Sequence, residues 1–148
     1  MVRKLGSDDL KAARQMNALF GRAFEDLERY EGAPPQDLWL ARLLARDTVT
    51  ALVATIDETV VGGLVAYRLD KFEQATSEIC LYDLAVEEAH RRRGIASALI
   101  SRLQAIAAEA GASVIFVQAD YSDPPAIALY ERFGSREAVL HFDIKPAG

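Results

Sequence analysis

Apolar residues recur along the chain with two different periods, and the changes of period divide it into elements. Residues 2–5 suit a short first strand, and Ser7 then suits the N-cap of a helix opening Asp8-Asp9-Leu10, with both acids at the favourable end of its dipole. Leu10, Ala13, Met16, Asn17, Phe20 and Phe24 form a stripe broken by one polar residue, which predicts helix to about Leu27. The loop Glu31-Gly32-Ala33-Pro34-Pro35 interrupts it, and Pro35 suits the first turn of a second helix carrying Leu38, Trp39, Leu43 and Leu44. From Val49 the period shortens. Residues 49–56, 60–69 and 78–86 read as three consecutive antiparallel strands, joined by a turn at Asp57-Glu58 and a loop over 70–76. Ile95, Leu99, Leu103 and Ile106, widened by Ala96, Ile100 and Ala107, then give an amphipathic helix that belongs on a sheet and ends at Gly111. Residues 113–118 read as a buried strand, parallel to 78–86 because a crossover helix joins them. Asp123-Pro124-Pro125 opens a helix through Tyr130 to Arg132, stopped at Gly134, and residues 139–144 read as a last strand. The order β-α-α-β-β-β-α-β-α-β predicts an α/β (α+β) fold: one mixed sheet with helices on both faces.

Composition narrows the class. A chain of 148 residues suits one domain over 1–148, and 51% hydrophobic with 26% charged residues is ordinary for a soluble protein. No window is apolar enough to span a membrane and the N-terminus lacks the apolar core of a secretory signal, so a cytoplasmic protein with no membrane partner is expected. The single cysteine, Cys80, excludes an internal disulfide and reads as a buried strand residue. Two separated histidines and no His/Cys cluster predict no metal. A net charge of −5 disfavours nucleic acid and leaves a cationic small molecule as partner. Tyr30 and Trp39, with Glu28 and Glu31 nearby, could line a pocket, but packing in the core is the favoured reading for these large aromatics.

The most specific chemistry lies between the 78–86 strand and the helix after it. Arg91-Arg92-Arg93-Gly94 ends where Ile95-Ala96-Ser97 begins the helix, so three guanidinium groups stand beside unpaired N-terminal amides and a positive dipole end, a combination that binds phosphate. Arg91, Gly94 and Ala96 match the Arg/Gln-x-x-Gly-x-Gly/Ala pattern, and strand, turn and helix together resemble the acetyl-coenzyme A motif of the GNAT superfamily of N-acetyltransferases. The element order resembles that fold over nearly the whole chain. The resemblance implies a splayed parallel strand pair that admits the coenzyme. It further implies that the backbone of Leu84, Ala85 and Val86 pairs with the pantetheine arm, and that residues Arg91, Arg92, Arg93, Gly94, Ile95, Ala96 and Ser97 cradle the pyrophosphate.

In Ala128-Leu129-Tyr130-Glu131-Arg132-Phe133-Gly134 the matching tyrosine is Tyr130, which the resemblance puts beside the coenzyme sulfur. A phenol with a reference pKa of about 10 can protonate a thiolate whose own is about 8.5. Acyl transfer to an amine needs a neutral, oriented nucleophile, and a carboxylate near the strand gap can hold the ammonium and accept its proton. Asp83 is the first choice, since a charge inside a strand is costly to bury without a purpose. Strand alternation puts it on one face with Leu81 and Ala85. Asp120, Asp123, Glu137, Asp143 and Glu78 are further acids; singly they read as surface charges, and together they would select a polycation.

A narrower resemblance rests on Lys71-Phe72-Glu73-Gln74, Ser77-Glu78-Ile79, Tyr82-Asp83-Leu84-Ala85-Val86, Val117-Gln118-Ala119-Asp120-Tyr121 and His141-Phe142-Asp143-Ile144. These strings are similar to aminoglycoside 3-N-acetyltransferases, which use acetyl-CoA to acetylate the 3-amino group of 2-deoxystreptamine antibiotics of the gentamicin type and so confer antibiotic resistance. The first 60 residues carry less of that signal. By position, Asp83, Asp120 and Asp143 would meet the ammonium groups. Other readings are a GNAT enzyme for a polyamine or a protein amine, and a non-catalytic acyl-CoA sensor. The C-terminus is too short for the family's closing hairpin, leaving an edge that a second protomer could cover as a homodimer.

Overall fold

Five strands form one sheet in the order β1-β2-β3-β4-β5: β1 (Val2–Lys4), β2 (Val49–Ile56), β3 (Thr59–Asp70), β4 (Ser77–Val86) and β5 (Ala112–Val117). The first four are antiparallel neighbours, and β5 runs parallel to β4. Helices α1 (Leu10–Ala23), α2 (Leu27–Glu31) and α3 (Asp37–Leu44) separate β1 from β2. Helix α4 (Ile95–Ala110) crosses from β4 to β5, and α5 (Pro124–Glu131) follows. This computed structural model describes residues 1–148. They divide into two compact units, Met1–Gln118, which holds the whole sheet, and Ala119–Gly148. No helix is long and apolar enough to cross a membrane.

The β2–β3 hairpin closes at Asp57 and Glu58, whose φ values of 50° and 66° are what a two-residue type I′ turn demands. At the middle of β3, Gly62 and Gly63 point to opposite faces of the sheet. A Cβ on Gly62 would lie 2.9 Å from Ile95 Cγ2 of α4, and one on Gly63 would lie 2.5 Å from Met16 Cγ of α1. The two helices therefore cover opposite faces, each approaching the strand closely because glycine leaves room. On the α1 face Leu5, Met16, Leu19, Phe20, Leu40, Val53 and Ala85 belong to one buried cluster. On the α4 face Leu52 and Leu64, paired across β2 and β3, are as fully buried as Leu99 and Leu103 of the helix.

Several expectations change. The first helix stops at Ala23: Glu25 adopts a left-handed φ of 53°, and Asp26 caps a separate short helix by accepting from the Arg29 amide at 3.2 Å. Asp9, not Ser7, stands at the N-cap of α1, and its carboxylate turns back to accept from the Gly6 amide at 2.7 Å and to pair with Arg3 at 3.0 Å. Those partners, the Gly6 amide foremost, hold its pKa below the usual carboxylate range. Trp39 is not core; it is 66% exposed. Strand β5 is a sheet edge with Ser113 and Val114 exposed, so its apolar run does not mark a fully buried strand. Residues 139–144 form no strand, because the unit from Ala119 onward contains no other strand to complete a ladder.

Candidate active site

The acid site begins with an irregularity in β4. Val65 of β3 pairs with Asp83 while Ala66 pairs with Leu81, so Tyr82 is an extra residue without a partner on β3, a β-bulge. The bulge interrupts the alternation of faces. Leu81 stands opposite Ala66, on the Gly62 and Leu64 side toward α4, whereas Asp83 stands opposite Val65, on the side of Gly63 and α1. Asp83 therefore shares a face with Ala85 but not with Leu81, contrary to simple alternation.

On that face Tyr30 of α2 donates its phenolic hydrogen to Asp83 Oδ1 at 3.0 Å. Oδ2 makes no hydrogen bond within the protein. Burial pushes the Asp83 carboxyl above the usual range, while the Tyr30 hydrogen bond and the Arg29 charge pull the other way. Tyr30 itself is raised well above the ordinary phenol value, first by burial and then by the Asp83 charge, so it stays protonated and remains a donor. Tyr67 of β3 is also raised, by burial and then by Asp83, and its ring meets that of Tyr82 edge-on at 5.7 Å. Cys80 is half-buried and burial raises its thiol, which keeps it from acting as a thiolate nucleophile. The sequence offers Tyr30 as a pocket residue but favours it as core, and it gives Tyr67 no role. For Tyr30 a signal existed, since the break at Glu25-Asp26 detaches it from the α1 stripe; the bulge at Tyr82 has no local signature.

The β4–β5 ladder ends just before the bulge, at the last residue of β5. Pairing of β4 with β5 runs from Ser77 opposite Ala112 to Leu81 opposite Val117 and stops there. Leu84, Ala85 and Val86 keep their β3 partners Leu64, Gly63 and Gly62, and their other edge carries no strand. Beyond Val86 a single 3₁₀ turn, Glu88–His90, leads into the arginines. Arg91 Nε donates to the Val86 carbonyl at 3.1 Å, Arg92 takes a left-handed φ of 65°, and Arg93 lies 3.5 Å from His90 Nδ1. Gly94 caps α4 with φ 78°, a conformation that favours glycine, and supplies no side-chain cap of its own. Left-handed residues in such a turn aim backbone N–H groups toward an anion. Arg22 of α1 pairs with Glu87 and ties the helix to this turn.

The remaining acids fall in both units of the chain. Glu78 pairs with Lys71 at 3.2 Å, and Lys71 also meets Glu73 at 3.1 Å. Asp120, Asp123, Glu137, Asp143 and Tyr130 belong to the unit from Ala119 to Gly148. There Asp120 accepts from the amide and hydroxyl of Ser122, both at 3.0 Å, and these bonds, the amide first, lower its pKa. Asp123 caps α5 through the Ala126 amide at 3.3 Å. Asp143 pairs with His141 at 2.8 Å, Glu137 is exposed, and Tyr130 is half-buried on α5. No three His, Cys, Asp or Glu side chains stand together as a metal-binding group.

Comparison with known proteins agrees with this arrangement. Residues 14–135 match the model of the acetyltransferase (GNAT) family. An aminoglycoside acetyltransferase from an uncultured soil metagenomic sample is 51% identical, with a TM-score of 0.96 over 99% of this chain and 98% of that one. A second aminoglycoside acetyltransferase from such a sample, solved with sisomicin, is 29% identical with a TM-score of 0.90, over 99% and 96% of the two chains. Human N-acetyltransferase 8 is 32% identical over 90 residues, which are 61% of this chain but only 40% of the human protein. With a β4 edge left open beyond Leu81, an arginine-glycine turn at the head of α4 and a family match over most of its length, the chain belongs to the GNAT family and is an acetyl-CoA-dependent N-acetyltransferase.

Proposed function

We propose that the protein acetylates aminoglycosides, at the 3-amino group of 2-deoxystreptamine antibiotics of the gentamicin type. The observation that carries the substrate class is the 51% identity, over almost the full length of both chains, to an aminoglycoside acetyltransferase; the 3-amino position rests on the resemblance of the sequence strings. The residues fit acetyl-CoA, which supplies the thioester. The uncovered edge of Leu84, Ala85 and Val86 offers amide donors and acceptors to an extended pantetheine chain. Arg91, Arg92 and Arg93 and the Gly94–Ser97 backbone suit its pyrophosphate.

Asp83 then has two tasks. Its free Oδ2 holds the acceptor's ammonium group and takes the proton that must leave before nitrogen attacks. A carboxyl raised by burial is better matched to that transfer than a solvated one. Tyr130 serves as the acid for the departing thiolate, and Asp120 and Asp143 serve as further anchors for a polycation. The protein's net charge of −5 favours such a substrate. The same reading takes the protein as a homodimer, supported by the outer edge of β5, which pairs with no further strand, and by the exposed apolar side chains of residues 139–144.

The test is thiol release from acetyl-CoA by purified protein with sisomicin, gentamicin or spermidine, followed by NMR of the acetylated product. Turnover with both antibiotics and an acetyl group on the 3-amino nitrogen is expected. Turnover with spermidine alone would overturn the substrate class, and acetylation at another nitrogen would overturn the regiochemistry.

A further inference from the structure

Asp83 is anchored by a helix that the sheet does not need. Helix α2 is one short turn, and its Tyr30 ring is fixed from three sides: the Phe20 and Phe24 ring centroids lie 5.9 and 5.7 Å away, and the α1 backbone approaches at Gly21. A Cβ on Gly21 would come within 3.4 Å of Tyr30 Cβ. The ring is thus built into an aromatic cluster while its hydroxyl reaches across to β4. Because Tyr30 keeps its proton, it is the donor and Asp83 the acceptor whenever the carboxyl is charged. It therefore favours the charged carboxylate and orients it, leaving Oδ2 as the oxygen available to substrate.

We propose that Tyr30 is the positioning residue for Asp83, holding Oδ1 so that Oδ2 is presented to the substrate ammonium and fixing the pH above which the carboxylate is available. This rests on the role given to Asp83 above. The other titratable groups around Asp83 do not substitute for Tyr30. Arg29 of α2 acts on Asp83 through charge alone, and Tyr67 of β3 and Tyr82 of β4 form a ring pair with no hydrogen bond to it. Cys80 of β4 faces Tyr67, and Arg22 of α1 is engaged by Glu87.

Tyr30→Phe keeps the ring and its tilted packing against Phe20 and Phe24 and removes only the donor. Its expected signature is a kcat/KM profile with the acid limb moved to higher pH. On that limb activity falls about tenfold, as loss of a hydrogen bond to a charged group entails, and at alkaline pH it recovers to within about threefold of wild type. The carboxyl ¹³C resonance of Asp83, followed by NMR in the free enzyme, should titrate at correspondingly higher pH in the variant. A purely structural tyrosine would lower activity or melting temperature evenly and leave both titrations in place; that result overturns the proposal. Asp83→Asn is measured beside it. If that variant kept full activity, the role of Asp83 itself would fall and the positioning role of Tyr30 with it. If Asp83→Asn is inactive while Tyr30→Phe leaves the profile and the resonance unmoved, the Tyr30 assignment alone is wrong.

Discussion

At Asp83 folding and chemistry pull in opposite directions. Burial raises its carboxyl more than Tyr30 and Arg29 lower it, so the native state holds a proton that the unfolded chain has already released. Stability therefore falls as pH rises from the ordinary carboxylate value through the raised native one, and above that window the native protein carries a charge it would be more stable without. Asparagine has the shape of the neutral acid and can still accept from Tyr30. Asp83→Asn is accordingly expected to melt at a higher temperature than wild type at pH 7, while kcat/KM falls by about 10²- to 10⁴-fold through loss of the base. Calorimetry and steady-state kinetics on the same preparations test the pair of effects. A lower melting temperature would mean that the charge is already compensated in the native protein.

One inserted residue does two things in β4. Tyr82 lets Leu81 and Asp83, two positions apart, stand on opposite faces, and the β4–β5 ladder ends at the residue before it. Deleting Tyr82 would leave Asp83 directly after Leu81 and still opposite Val65, so the strand would become regular with the faces of both neighbours unchanged. The expected variant folds as stably as wild type, extends its parallel ladder past Leu81, and binds acetyl-CoA at least tenfold more weakly in calorimetric titration. Tyr82→Ala keeps the bulge and should keep the coenzyme affinity. Equal affinity in the deletion would separate the bulge from coenzyme binding. The contrast also shows which features could be read without coordinates. The β2–β3 hairpin, α4 with its αL glycines at both ends, and the parallel β5 follow from local period and turn chemistry, and so were legible. The bulge was not, because Leu81-Tyr82-Asp83-Leu84 is compatible with unbroken alternation and only pairing with β3 reveals the extra residue. Tyr30 lay between, since its aromatic spacing suits a core helix and its hydrogen bond to a residue 53 positions away is purely tertiary.

Across the whole chain the sheet's last edge is the main departure from what the pattern of residues predicts. Val139, Leu140, Phe142 and Ile144 are 67, 82, 76 and 90% exposed, so a segment with strand composition is left in solvent without a ladder. Isolated apolar side chains on a surface are ordinary, but four within six residues beside a tract of unpaired backbone form a surface suited to pairing with another chain. The charges around them do not oppose it: Asp143 is paired with His141, and Arg136 lies 3.6 Å from Glu131. If the homodimer forms through this segment, Leu140→Glu and Phe142→Glu together should convert it to a monomer in sedimentation velocity. The far-UV circular dichroism should stay unchanged, since neither side chain is buried in the protomer. A wild-type protein that sediments as a monomer at micromolar concentration would dispose of the dimer. A double variant that remains dimeric would move the interface to another surface.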